Sequence, residues 1–288
     1  MNKTIFSKKR SLNPALLFIL PGLLGFIIFY IWPFVLSLGY AFSDKAVNGS
    51  FVGLRNFIDL LNNKPYLRGL KNTLVFISIC VPLNIFMSLG VAMLIKKIKR
   101  YKKLFILIFL IPLVIPSGSM VFFWKMFFDY SGVLNSILCQ LGFEKINWLE
   151  TSNVRYVIVL IFIWKNLGYN MILFLSGLSS IPKEYYEAAK VDGAGPLNEF
   201  VNITLANLIP TFFIVVIMSI INSFKVFKEI YLITGSYPHE SIYMLQHFMN
   251  NMFSSLNYQK LTTATCILIL IIGILTQFLF KIEKEISK

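Results

Sequence analysis

Runs of apolar residues, each about as long as a bilayer is thick, recur along this chain, and one acid-bearing polar insert stands between two of them. A helix needs about 20 such residues to cross the hydrocarbon core, because in lipid every backbone N–H and C=O must be satisfied within the segment. Runs of that kind fall at about 15–42, 73–95, 104–127, 157–178, 208–227 and 261–280. They imply an all-α integral membrane protein with six transmembrane helices. Composition supports this: 57% of residues are hydrophobic and 14% charged, where soluble domains carry about 45–50% and about 25%. With 288 residues, the spans leave no room for a large soluble domain.

The net charge of +14 points to a membrane and away from nucleic acid, because the cations cluster at the ends of the apolar runs. KKIKRYKK, between the second and third runs, supplies Lys96, Lys97, Lys99, Arg100, Lys102 and Lys103. By the positive-inside bias this loop is cytoplasmic. Six spans then put both termini in the cytoplasm, as residues 1–14 and 281–288, and Lys3, Lys8, Lys9 and Arg10 agree. The first run is too long for a signal peptide and lacks a small-residue cleavage site, so it reads as a retained span. Pro21-Gly22, Pro33, Pro82, Pro112 and Pro116 interrupt runs at places where neighbouring helices can satisfy the backbone. Between runs, a short amphipathic helix is expected around 54–61. Residues 128–156 read as an external loop with Trp148 and Tyr156 as interfacial anchors.

Several kinds of chemistry have no residues to support them. Cys80, Cys139 and Cys266 are odd in number and widely spaced, which gives neither a disulfide framework nor a zinc pattern. The two histidines, His239 and His247, share an external segment without a nucleophile or metal partner and read as surface residues. No G-x-x-x-x-G-K-[ST] phosphate loop is present. The chain therefore carries no cofactor, and ATP-driven transport would need a separate subunit to bind ATP and Mg. Ion-coupled carriers, the rival class, place carboxylates inside spans. The central parts of these spans hold none; Glu229, near the outer end of the fifth, is expected to pair with Lys225 or Lys228.

The insert occupies 181–207, between the fourth and fifth runs, and is cytoplasmic by alternation. It holds Glu184, Glu187, Asp192 and Glu199, four of the thirteen acidic residues. Ser179 and Ser180 are suitable N-caps and Pro182 suits a first turn. The carboxylates of Glu184 and Glu187 favour the positive end of the helix dipole. Gly193 supplies a left-handed stop and Pro196 a new start. Ala188 and Ala189 leave part of the helix without bulk, so another backbone can come close. Helices that lie on lipid favour Lys and Arg on their polar face, so an acid-rich one reads as a docking element.

Here the chain resembles the permease subunits of ABC importers, in particular the carbohydrate importers of the maltose and glycerol-phosphate type. Glu187-Ala188-Ala189, Asp192-Gly193-Ala194 and Ile203-Thr204-Leu205 match their EAA motif, with Ala206 where a proline is common. VGLRNF, LKNTLVF, GVLNSIL, INWLE, WKNLGYN and ITGSYP follow the family's order along most of the chain. The resemblance implies a bacterial plasma-membrane subunit whose EAA helix enters a cleft on an ATPase. Glu184, Glu187, Ala188, Ala189, Asp192 and Gly193 would be the coupling positions. It implies a second permease (a heterodimer), two ATPase subunits and an external or periplasmic solute-binding protein. It also implies a sugar or sugar-like solute, with a non-sugar solute as the alternative. Ser219, Asn222 and Ser223 share one helix face by their spacing. They would either touch a polyhydroxylated solute or join helix to helix. Trp164, Asn166 and Gly168, in the WKNLGYN stretch, are further positions close to the family's sugar contacts.

Overall fold

The computed structural model describes residues 14–45 and 48–286. In chain order the elements are α1 (Pro14–Phe26), a π-helical turn (Ile27–Ile31), α2 (Trp32–Ala41), α3 (Arg55–Leu61), α4 (Lys64–Lys97), α5 (Lys102–Val114), α6 (Ser117–Phe128), α7 (Val133–Gln140) and α8 (Val154–Ser180). They continue with α9 (Lys183–Val191), α10 (Pro196–Asn198), a second π-helical turn (Glu199–Leu205), α11 (Ala206–Lys225), α12 (Phe227–Thr234), a 3-10 turn (Glu240–Ile242), α13 (Leu245–Ser254) and α14 (Tyr258–Ile286). Apart from one antiparallel bridge between Ser43 and Phe51, regular structure among the described residues is helical. The cations Lys3, Lys8, Lys9 and Arg10, and the last two residues of the tail, lie outside the described residues.

Five helical stretches are long and apolar enough to cross a membrane. A sixth crossing exists only if Lys102–Val114 and Ser117–Gln140, which meet at 95°, count as one broken span. The continuous third span expected at 104–127 is therefore corrected. Pro116 cannot donate a backbone hydrogen bond and pushes its predecessor out of the helical region. Ile115 is extended, and the Pro116 carbonyl instead starts α6 by accepting from Met120 N at 3.1 Å. The fifth span, expected from about 208, belongs to a helix that runs from Pro196 to Thr234. Without a proline at 206, the π-helical turn leads straight into α11.

α4 and α8 form the centre. α4 starts on a cap, with Asn63 Oδ1 accepting from Tyr66 N at 3.0 Å, and ends on Lys96 and Lys97, cations suited to the negative end of the dipole. Its buried residues Phe76, Cys80, Asn84, Ser88 and Ala92 recur every four residues, so they form one stripe facing α8. In lipid, burial of apolar surface gives helices little reason to associate; close packing of small residues and hydrogen bonds between helices do that work. Both are present. A Cβ built on Gly168 of α8 would lie 1.9 Å from the Phe109 carbonyl oxygen of α5, so these backbones touch and only glycine fits. Asn170 Nδ2 donates to Asn84 Oδ1 at 2.7 Å and to Ser219 Oγ at 2.8 Å, which links α8 to α4 and α11. At the rim α2 packs on α14. Between Phe18 and Ala41, Ala41 alone is buried, as suits a helix facing lipid or a partner.

One loop expectation is refined and one changes. Trp148 also has a packing role: it stacks edge-on with Phe128 and donates to Asn135 Oδ1 at 3.3 Å, beside α7. His247 is no surface residue. It is fully buried in α13, where its Nδ1 accepts from Met244 N at 3.1 Å and its ring stands against Phe227. Burial pushes the His247 pKa down from 6.5 to about 4. Between those values the unfolded chain binds a proton that the folded chain refuses. Stability is whole above pH 6.5 and declines as pH falls through the window, by about 3 kcal/mol in all. His247→Gln, which keeps an acceptor at the third helical position, should flatten that decline in unfolding curves recorded from pH 7 to 4.

Candidate functional site

α8 ends at Ser180, and the chain turns at once into α9. Ser179 Oγ and Ser180 Oγ donate to the carbonyls of Leu175 and Gly177 behind them, so they finish α8 and do not cap α9. Pro182 occupies the cap position of α9. The far end closes as the sequence requires: Gly193 takes φ +78, Gly193 N donates to Lys190 O at 3.1 Å, and Ala194 N donates to Ala189 O at 2.8 Å. This is a Schellman stop, which needs a left-handed residue at that place.

α9 buries no side chain. Glu184, Glu187, Ala188 and Asp192 are exposed and Ala189 is half-buried; Val191 is 89% exposed, an apolar surface without cover. A nine-residue helix is too short to hold itself, and Tyr186 provides the hold. Its hydroxyl lies 3.0 Å from Thr204 Oγ1 in the second π-helical turn. Its ring lies 5.3 Å beneath the Lys96 ammonium of α4, which itself donates to Leu178 O of α8 at 2.7 Å. Tyr186 thus ties α9 to the ends of three long helices. Sequence reading passes over it, although an aromatic ring in so polar an insert marks a half-buried tether.

The intramembrane polar residues divide into two groups. Ser219 serves the Asn84–Asn170 network, and Ser223 Oγ donates to its own helix at Ile220 O. Trp164 packs edge-on against Trp124, and Gly168 is closed off by the α5 backbone. Asn222 is half-buried, and Asn166, though buried, with its amide donating to Phe162 O of its own helix at 2.8 Å, stands near it. They line a cavity of about 160 Å³ with Lys165, Lys225 and Glu229. Glu229 is 3% exposed and pairs with Lys165 of α8, not with Lys225 or Lys228, and Ser117 Oγ donates to it at 3.0 Å. Lys225 turns instead to Asn222 Oδ1 at 3.2 Å. Linear distance hid this pair: the residues are 64 apart in sequence, and neither apolar run shows which face it turns inward.

A bundle with long apolar helices, a broken span and a tethered polar helix between two crossings is the fold of an integral membrane protein. The chain belongs to the family of binding-protein-dependent transport system inner membrane components, whose profile matches residues 49–284. It is 29% identical over 277 residues to the sn-glycerol-3-phosphate transport system permease protein UgpA of Yersinia pestis bv. Antiqua, with 94% of each chain covered. It is 30% identical to the probable ABC transporter permease protein YesP of Bacillus subtilis, over 92% of this chain and 88% of that protein. Its fold matches a chain of a bacterial ABC transporter involved in alginate import, with TM-score 0.85, 23% identity and 96% of each chain covered.

Proposed function

We propose that this chain is one of two permease halves of an importer for a sugar or sugar-like solute, and that α9 is where a separate ATPase drives it. The carrying observation is α9 itself, a helix with every acid exposed and no side chain buried, tethered at Tyr186 to three long helices. In this reading α9 and both termini are cytoplasmic. The ATPase pair binds ATP and Mg, and closure of that pair draws the two α9 helices together. Tyr186 carries the movement to Thr204 at the head of the fifth crossing and to the ends of α4 and α8. The pathway then opens outward to a solute-binding protein and returns inward after hydrolysis. The relatives support the solute class: one is named for glycerol-3-phosphate, and a structural neighbour was solved with an alginate pentasaccharide-bound periplasmic protein.

The test is a cysteine at position 187. Coexpressed with its ATPase, Glu187→Cys should form a cross-link to that subunit that strengthens with nucleotide. Labelling of the same cysteine from outside intact cells would reverse the orientation and end the proposal. Glu229 keeps a second reading in view, since a carboxylate between helices is what an ion-coupled carrier needs. Its partners Lys165 and Ser117 already satisfy it, which favours a structural role. Uptake should survive a proton ionophore while cellular ATP is maintained, and collapse under it would favour the carrier.

A further inference from the structure

Behind α9 lies a cavity of about 740 Å³ whose wall includes the tether residues Tyr186, Thr204 and Lys96. Lys96 and Lys97 reach it from α4, Lys102 from α5, and Lys183 and Lys190 from α9. Glu199 is the one carboxylate among its lining residues. No lysine of this set forms a salt bridge among the described residues; the ion pairs found are Arg68–Glu240 and Lys165–Glu229. Five lysines and one carboxylate among the lining residues, in a space of the size that holds small ligands, leave a surplus of positive charge, although Lys96 already donates to Leu178 O and Glu187 stands one turn from both Lys183 and Lys190.

We propose that this cavity binds the phosphate headgroup of an acidic phospholipid. The remaining wall favours lipid over a soluble anion. Met93, Leu178, Ile181 and Phe200 give it an apolar side. Leu94, next to Met93 on α4 and about 100° round the helix from it, is 64% exposed, so uncovered apolar surface continues beside the cavity. Basic pockets between span ends bind lipid headgroups in this way, each nearby cation adding attraction. The acid face remains available. At about 100° per residue, the stripe of Lys183, Tyr186 and Lys190 lies roughly 120° round α9 from that of Glu184, Ala188 and Val191, with Glu187 between the two. A headgroup here would brace α9 against α4 and α5 while a protein held its other side. Placement in the inner leaflet rests on the orientation proposed above; the binding does not.

The test uses the purified full-length chain in a neutral detergent, with lipid retention read by native mass spectrometry. Phosphatidylglycerol should be retained over phosphatidylcholine. Lys183→Gln/Lys190→Gln should cut that preference about tenfold, Lys102→Gln should cut it from a different element, and Lys183→Arg/Lys190→Arg should keep it. Lys64→Ala/Lys71→Ala, which removes equal charge at the other end of α4, should leave it within about twofold. Equal retention of both lipids, or an equal loss in the Lys64/Lys71 variant, overturns the proposal. Displacement of the lipid by millimolar inorganic phosphate also overturns it, by giving the site to a soluble anion. Because the assay reads no transport, failure leaves the coupling role of α9 untouched.

Discussion

Lys165→Met should destabilise the protein by about 3–5 kcal/mol, since it strands the Glu229 carboxylate between helices without its counter-charge. Glu229 is 3% exposed, and Ser117 can offset only part of the loss. Glu229→Met should cost a similar amount by stranding Lys165, softened because that side chain is 24% exposed to the cavity. The double variant, Lys165→Met/Glu229→Met, should recover most of the loss, because two apolar side chains of similar volume avoid both desolvation penalties. A thermodynamic cycle from denaturant unfolding in detergent measures this directly. Strict additivity of the two single losses would show that the pair is not coupled. Uptake by the double variant separates two roles. If the pair only joins α8 to α12, transport recovers with stability. If the ammonium or carboxylate touches solute in the cavity shared with Asn166 and Asn222, stability returns and transport does not.

The reason this pair escaped sequence reading also explains what sequence could reveal. Apolar runs report their own length, so most crossings were legible from bilayer thickness alone. The stop at Gly193 was legible because a left-handed residue leaves a chemical signature. Facing was not legible. The 4-residue recurrence on α4 was diluted by exposed apolar residues such as Ile79 and Phe86, since in a membrane both faces of a helix are apolar. Ser219 and Asn222 could be put on one face of α11, but only the neighbours decide that Ser219 meets Asn170 while Asn222 meets a cavity. The bend at Pro116 was hidden likewise. Prolines at 82, 112 and 210 all sit inside helices that continue, so proline alone marks where a break is allowed, and packing decides where one occurs.

Gly193→Pro is expected to reduce uptake to background while leaving insertion and bundle stability near wild type. Gly193 sits at φ +78, and proline is held near −65°; its missing N–H also removes the bond to Lys190 O. The Schellman closure must therefore open, and with it the end of a helix too short to persist unaided. Damage should stay local, because α9 buries no side chain in the bundle. Space is no obstacle, as a Cβ at Gly193 would meet nothing within 4 Å. Backbone angle is the whole constraint, so a graded series should follow. Gly193→Asn, which tolerates the left-handed region, should retain most uptake. Gly193→Ala should lose an intermediate share, through about 1–2 kcal/mol of strain. Gly193→Pro should retain least. Quantified cross-linking of a cysteine at 187 to the ATPase in each background connects the series to mechanism. If uptake falls in that order while cross-linking holds constant, α9 still docks and the Gly193 stop is needed to transmit the movement. If both fall together, the left-handed stop sets the angle at which α9 is presented, and the Tyr186 tether transmits only what that angle allows the partner to grip.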